Sequence, residues 1–333
     1  MGGVETPGLR GRDPPVARLP EVMSAPSPLL PWPVVLCAAL ALAACSSTPK
    51  PKKADYAPVE RWDEDRVRLP EKPIGPLLAQ LDGLMRNWTT LALTASDPLD
   101  DRRREALESD LRYRVSKRFD ELVAELEAGP PSNRQVAAMA LGFSATDRAL
   151  SPLLAALHDA RPEVRSNALT ALGLLALRDT PLERVRELVE SDPHETVRIQ
   201  GALALRKIIQ TGAPTGDAEL ETARNGILDP SPGVRSECCL ILGLLRDEES
   251  IDLLGQLLRD PTPLPAAAAA RSLQMIGTED SRQLGPTARA LASSLDDVDG
   301  NVRQTILKCL MTMSRSNFGE RSEGWIEWAN RLP

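Results

Sequence analysis

Residues 159–173 read DARPEVRSNALTALG, and the same grammar returns at 192–206 (DPHETVRIQGALALR), 229–243 (DPSPGVRSECCLILG) and 297–311 (DVDGNVRQTILKCLM). Each stretch carries a Val-Arg pair, ending in Arg165, Arg198, Arg235 and Arg303. An aspartate stands six residues before each arginine (Asp159, Asp192, Asp229, Asp297), and a leucine stands seven after it (Leu172, Leu205, Leu242, Leu310). Two degenerate copies fill the gaps. One runs Asp260, Ala266, Leu273, with alanine in the arginine place; the other has Arg134 and Leu141 but Ala128 in the aspartate place. Arginine-equivalent positions then fall at 134, 165, 198, 235, 266 and 303, in steps of 31, 33, 37, 31 and 37 residues. A period in the thirties built of helix formers marks an α-solenoid, in which no unit can bury its apolar flank without a neighbour.

Each unit divides into two helices. In the first, small residues recur three and six places after the arginine, as in Ala137 and Ala140, Ala168 and Ala171, Gly201 and Ala204. That spacing lets two helices approach closely while the following leucine fills the core. The second helix shows a leucine stripe, as in Leu150, Leu153, Leu154, Leu157 and in Ile251, Leu254, Leu257, Leu258. Ser151-Pro152, Thr180-Pro181, Asp192-Pro193 and Asp229-Pro230 read as helix starts, with a capping side chain before a proline at the first helical position. Thr211–Gly216 reads as a connection.

The Asp-Pro turn, Val-Arg pair, spaced alanines and closing Leu-Gly (Leu141-Gly142, Leu172-Gly173, Leu242-Gly243) resemble the HEAT-repeat family, most closely its short subclass named after phycobilisome lyases. The resemblance covers about residues 128–313. It implies that Asp159, Arg165, Asp192, Arg198, Asp229, Arg235, Asp297 and Arg303 form a structural ladder between neighbouring repeats, the aspartates capping helix starts. It also implies that second helices line a concave side where protein partners dock. The candidate exposed positions there are Glu183, Arg186, Glu187 and Glu190, then Glu219, Glu221 and Arg224, then Asp252 and Gln256, then Arg282 and Arg289. Mixed charge at helical spacing is equally the mark of a solvated face.

Composition agrees with helices. Of 333 residues, 3% are aromatic, too few for a sandwich or barrel built on β-branched and aromatic side chains. A formal charge of −7 carries no footprint of clustered cations, so nucleic acid is not an expected partner. Two histidines, His158 and His194, leave little for multi-histidine metal sites. His194-Glu195 is the only His-Glu pair, and one imidazole with one carboxylate cannot hold the two irons of a HEAT-type hydroxylase. No glycine-rich phosphate loop or serine nucleophile elbow is visible. Cys238, Cys239 and Cys309 occupy core-type positions and read as small apolar residues. No cofactor, metal or small-molecule substrate is expected.

The N-terminal third carries an address. Leu29–Ala44 is an uncharged run of 16 residues interrupted by Pro31 and Pro33, short for a bilayer span but suited to a secretory signal. It ends Leu42-Ala43-Ala44-Cys45, which resembles the lipobox of bacterial lipoproteins. That resemblance implies diacylation of Cys45, and Ser46 after it favours the outer membrane, with the chain facing the periplasm. Arg10, Arg12 and Arg18 precede the run but are offset by Glu5, Asp13 and Glu21, and a start at Met23 would leave no cation ahead of it. If the run is not a signal, the alternative is a cytoplasmic adaptor.

The expected organisation is therefore a signal at 1–44, a Pro-, Lys- and acid-rich tether at 45–76 and a helical N-terminal cap at 77–128. Repeats at 129–313 and a C-terminal cap at 314–333 follow, the latter with Trp325 and Trp328 three apart on a helix. The expected function is a non-catalytic protein-binding scaffold held to the envelope by lipid. A HEAT-type lyase or metal-dependent hydroxylase is the alternative from the repeat subclass.

Overall fold

The structure, a computed structural model, describes residues 73–94, 97–298 and 300–333; the expected signal, Cys45 and the tether up to residue 72 lie outside the described residues. Fifteen α-helices follow in order: α1 (Ile74–Thr94), α2 (Pro98–Lys117), α3 (Phe119–Ala128), α4 (Pro131–Leu141), α5 (Leu150–Ala156), α6 (Pro162–Leu175), α7 (Glu183–Ser191), α8 (Glu195–Ile209), α9 (Asp217–Gly226), α10 (Pro232–Leu245), α11 (Ile251–Leu257), α12 (Pro263–Glu279), α13 (Leu284–Ser293), α14 (Gly300–Ser314) and α15 (Ser322–Asn330). No strand occurs among the described residues, and no described helix is long and apolar enough to cross a membrane. The protein is an all-α solenoid.

Two layers make it up. The helices that carry the arginine-equivalent position, α4, α6, α8, α10, α12 and α14, pack side by side in sequence order. Helices α3, α5, α7, α9, α11 and α13 each lie on one of these, and α15 closes on α13. The second layer is built of shorter helices: α5 and α11 have 7 residues, where α6 has 14 and α12 has 17. The two layers are called the short and long layers below.

Packing follows the repeat. Leu141, Leu172, Leu205, Leu242, Leu273 and Leu310 are fully buried between the layers, each contributing on the order of 1.5–3 kcal/mol relative to exposure. The glycine of Leu-Gly has a steric role. A Cβ on Gly142 would lie 2.7 Å from the Ala171 Cα, and one on Gly243 would lie 2.7 Å from the Ser272 Cα. Glycine is thus what lets α4 meet α6, and α10 meet α12, at backbone distance. Position 206, the same place in α8, is arginine, and there an Arg206–Glu237 ion pair ties α8 to α10 instead.

The prolines sit differently from the sequence expectation. Those at the first helical position are Pro98, Pro131, Pro162, Pro232 and Pro263. Pro193 and Pro230 precede their helices, because the aspartate before each accepts from the backbone N–H two residues on (His194 and Ser231) and so builds a turn ahead of the helix. Pro152 lies inside α5, which a single 3₁₀ turn at Asp147–Ala149 introduces.

The ends are closed by different means. Helices α1 and α2 form a hairpin whose base buries Leu78, Leu81, Met85, Leu111 and Val115. Trp88 meets the Phe143 ring edge-on at 5.2 Å and donates from Nε1 to Glu108 Oε1 at 2.8 Å. At the other end Trp325 is fully buried, packs edge-on against Phe318 at 5.0 Å and donates from Nε1 to the Gly319 carbonyl.

Candidate partner-binding surface

The arginine is always the fourth residue of its long helix, which places its side chain over the turn leading into the next one. Arg165 donates from Nε and Nη2 to both Asp192 oxygens at 2.8 and 3.0 Å, while its Nη1 reaches the carbonyl of Asp159 at 2.9 Å. Arg198 repeats this with Asp229 and the Asp192 carbonyl, and Arg235 with Asp260 and the Asp229 carbonyl. Arg134 completes the set with Asp159 at 2.6 and 3.1 Å. Each arginine therefore bonds its own turn through backbone and the next turn through a bidentate carboxylate. Burial alone would push the Asp159 and Asp260 carboxyls up. The guanidiniums of Arg134 and Arg235, with the backbone N–H groups of Arg161 and Thr262, outweigh it and hold both below the usual carboxylate range.

The last pair departs from the expected ladder. Ala266 offers no guanidinium, so Asp297 is met instead by Arg259 at the end of the short-layer helix before it, at 2.7 Å. Arg303 reaches the carbonyls of Leu295 and Glu320 and comes within 3.9 Å of Asp296. Asp297 and Arg303 belong to no common rung.

Most of the candidate positions on the short layer are engaged by neighbouring side chains or backbone of the chain itself. Arg186 pairs with Glu219, which also accepts from the Gly216 N–H; Glu219 is buried at 6% exposure, where the sequence reading placed it at the surface. It stands at the third residue of α9, where a carboxylate caps the helix and is drawn down onto it. Glu187 pairs with Arg184, and Glu190 accepts from Thr222. Arg224 binds Asp247 and Glu249, and Arg282 binds Asp280 and Glu248. The Arg282 guanidinium and N–H hold the Asp280 carboxyl at about 2. Arg289 is half-buried and donates to the carbonyls of Ala329 and Leu332, fastening α15. Glu183, Glu221, Asp252 and Gln256 are exposed; Asp252, with Arg289, lines a cleft of about 470 Å³ between α11, α13 and α15.

A groove of about 1030 Å³ lies on the other layer. Its floor is the outward face of α4, α6 and α8, with Met139, Leu169, Leu174 and Leu203 between Gln135, Asn167, Thr170 and Gln200. Its wall is the α1–α2 hairpin, which presents Met85, Trp88 and Leu93. Leu93 is 81% exposed, unusual for so large an apolar side chain. The polar groups on the floor are tied within it: Asn167 donates to the Gln135 carbonyl, and Thr170 lies within hydrogen-bond distance of both the Ser166 carbonyl and Gln200 Oε1. The floor thus offers apolar contact and spare amide capacity, with Lys207 at its far edge. Sequence periodicity could not find this groove, because its wall comes from a hairpin whose path depends on Trp88 meeting Phe143.

The remaining reactive groups are withdrawn or solitary. Cys238, Cys239 and Cys309 are buried, and burial pushes the thiols of Cys239 and Cys309 up to about 12 and about 11 and that of Cys238 higher still. His194 immediately precedes α8 without a side-chain hydrogen bond to it, its Nδ1 3.5 Å from the Asp192 carboxylate. His158 lies past the end of α5.

A family profile described as HEAT repeats matches residues 119–206 and 220–311, together more than half of the chain. The match takes in α3, which the sequence reading assigned to the cap. No curated protein matches the sequence. Among solved structures, an engineered protein is 18% identical, with 62% of this chain and 98% of that chain covered and a TM-score of 0.43. The CpcE–CpcF complex of phycocyanin lyase from Nostoc sp. is 18% identical (70% and 94% covered, TM-score 0.38), as is human deoxyhypusine hydroxylase in complex with glycerol (74% and 100%, 0.33). Likeness at this level attaches no activity to this chain.

Proposed function

The chain belongs to the HEAT-repeat family, and from that premise we propose that it is a non-catalytic scaffold that holds a protein partner and is tied to the cell envelope by lipid on Cys45. The observation that carries the binding half is the groove between the α1–α2 hairpin and the long layer, whose floor sets leucine and methionine side chains among amides and hydroxyls with Lys207 as its one charge, and whose wall carries Asp82, Arg86, Arg104 and Glu108. Short-layer charges spend themselves on one another, so they offer a partner less. Buried thiols of raised pKa support a non-catalytic role. A photo-crosslinking side chain at Leu203 is expected to capture a discrete partner in intact cells, and the same probe at Glu187 is not; equal capture from both places would sink the assignment of the face.

The anchoring half rests on sequence. Leu42-Ala43-Ala44-Cys45 ends an uncharged run, and Ser46 after it favours the outer membrane. Radiolabelled fatty acid should enter the protein and be lost in Cys45→Ala, with release into the soluble fraction. A Cys45→Ala protein that stays with the membrane, or a wild type that takes no label, would remove this reading and favour the adaptor.

A further inference from the structure

The long helices repeat in register, so residues at equal places along them share one face. The groove floor uses the sixth, ninth and thirteenth residues of α6 and α8: Asn167, Thr170 and Leu174, then Gln200, Leu203 and Lys207. The same places continue the face beyond the groove, as Glu237, Leu240 and Leu244 on α10, Arg271 and Met275 on α12, and Lys308 on α14. Leu240, Leu244 and Met275 are half-buried, with no helix laid over them, whereas Lys207, Arg271 and Lys308 are exposed. None of these three cations has an ion-pair partner among the described residues. The one carboxylate on this face, Glu237, is bound to Arg206. In a chain of net charge −7, this layer is therefore an apolar strip edged by uncompensated positive charge.

We propose that this strip recognises an acidic polypeptide segment carrying apolar side chains, which lies across α8, α10, α12 and α14 and enters the groove beside the α1–α2 hairpin. The inference rests on the scaffold reading and names its partner's chemistry. Charge complementarity selects the partner: carboxylates meet Lys207, Arg271 and Lys308, and leucine-like side chains meet Leu203, Leu240 and Met275. Neighbouring helix axes stand about 8–10 Å apart, so an extended segment of roughly ten residues spans the cations. A nucleic acid fits poorly, since three cations separated by leucine and methionine give neither a phosphate track nor a stacking platform. A bilayer surface fits poorly as well, because the hairpin stands over one end of the strip.

The test uses the full chain and a set of fluorescent 15-residue peptides of constant leucine content whose other positions are Glu, Gln or Lys. Affinity is expected to rise from Lys to Gln to Glu and to weaken with salt. The combined Lys207→Glu, Arg271→Glu, Lys308→Glu variant should lose about tenfold for the Glu peptide while gaining for the Lys peptide. These side chains are exposed, and an unchanged melting curve confirms that the variant folds. Leu203→Ser, which removes apolar contact without changing charge, should weaken all three peptides alike. Binding that ignores peptide charge overturns the proposal but leaves the scaffold reading, and indifference to Leu203→Ser as well removes both. Absence of binding by every peptide, or a preference for oligo-dT or phosphatidylglycerol vesicles over the Glu peptide, also overturns it.

Discussion

The joint between α6 and α8 and the joint between α12 and α14 do the same job with different chemistry. At the first, Arg165 and Asp192 are bidentate, 10% and 3% exposed, and Arg165 also holds the Asp159 carbonyl. At the last, Ala266 breaks the series and Asp297 is met by Arg259, with the pair 46% and 49% exposed. A rung out of water cannot lose one partner without stranding the other, whereas a pair in water can. The first joint is therefore brittle but specific, and the last is forgiving.

The largest effect is expected at the brittle joint. Arg165→Ala leaves the Asp192 carboxylate buried and should cost about 3–5 kcal/mol, read as a fall in the denaturant midpoint. A loss below about 1 kcal/mol would mean that the two joints are alike after all. Acid should next act on two other rungs built like the first joint, Arg134–Asp159 and Arg235–Asp260. Asp159 and Asp260 have folded pKa values below their unfolded ones, so their stabilisation is complete above about pH 4 and is lost as pH falls through the lowered folded values. Between pH 4 and 2 the wild type should lose stability more steeply than Arg235→Ala, which has already surrendered the Asp260 share. Parallel curves would argue that these carboxylates do not govern the acid limb. Arg259→Ala should matter least, under about 1 kcal/mol. In an Ala266→Arg background, where a rung can re-form on Asp297, even that cost should vanish, and a cost that persists there would show that the substitute pairing is not what Arg259 supplies.

The sequence made the long layer legible because its information is local. The arginine sits at one fixed helical residue, the aspartate one turn upstream, and the glycine of Leu-Gly where backbones touch. What it hid is contact between units. Glu219 looks exposed by helical period, but Arg186 on α7 and the Gly216 N–H draw it under. Arg259 gave no sign that it would serve Asp297, 38 residues on. Nor could spacing tell that Pro193 and Pro230 stand ahead of their helices, since an aspartate before proline signals both a cap and a turn. The groove was hidden for the same reason, its two sides being far apart in the chain.

Because every rung joins an arginine of one unit to an aspartate of the following one, the units are interchangeable couplings. Excising residues 166–198 would leave Arg165 in register with Ile199 and facing Asp229, plug to socket, with the same chemistry as before. The number of units is then free to drift by whole steps during descent, while a splice at Ala266, which carries no guanidinium, would find nothing to grip.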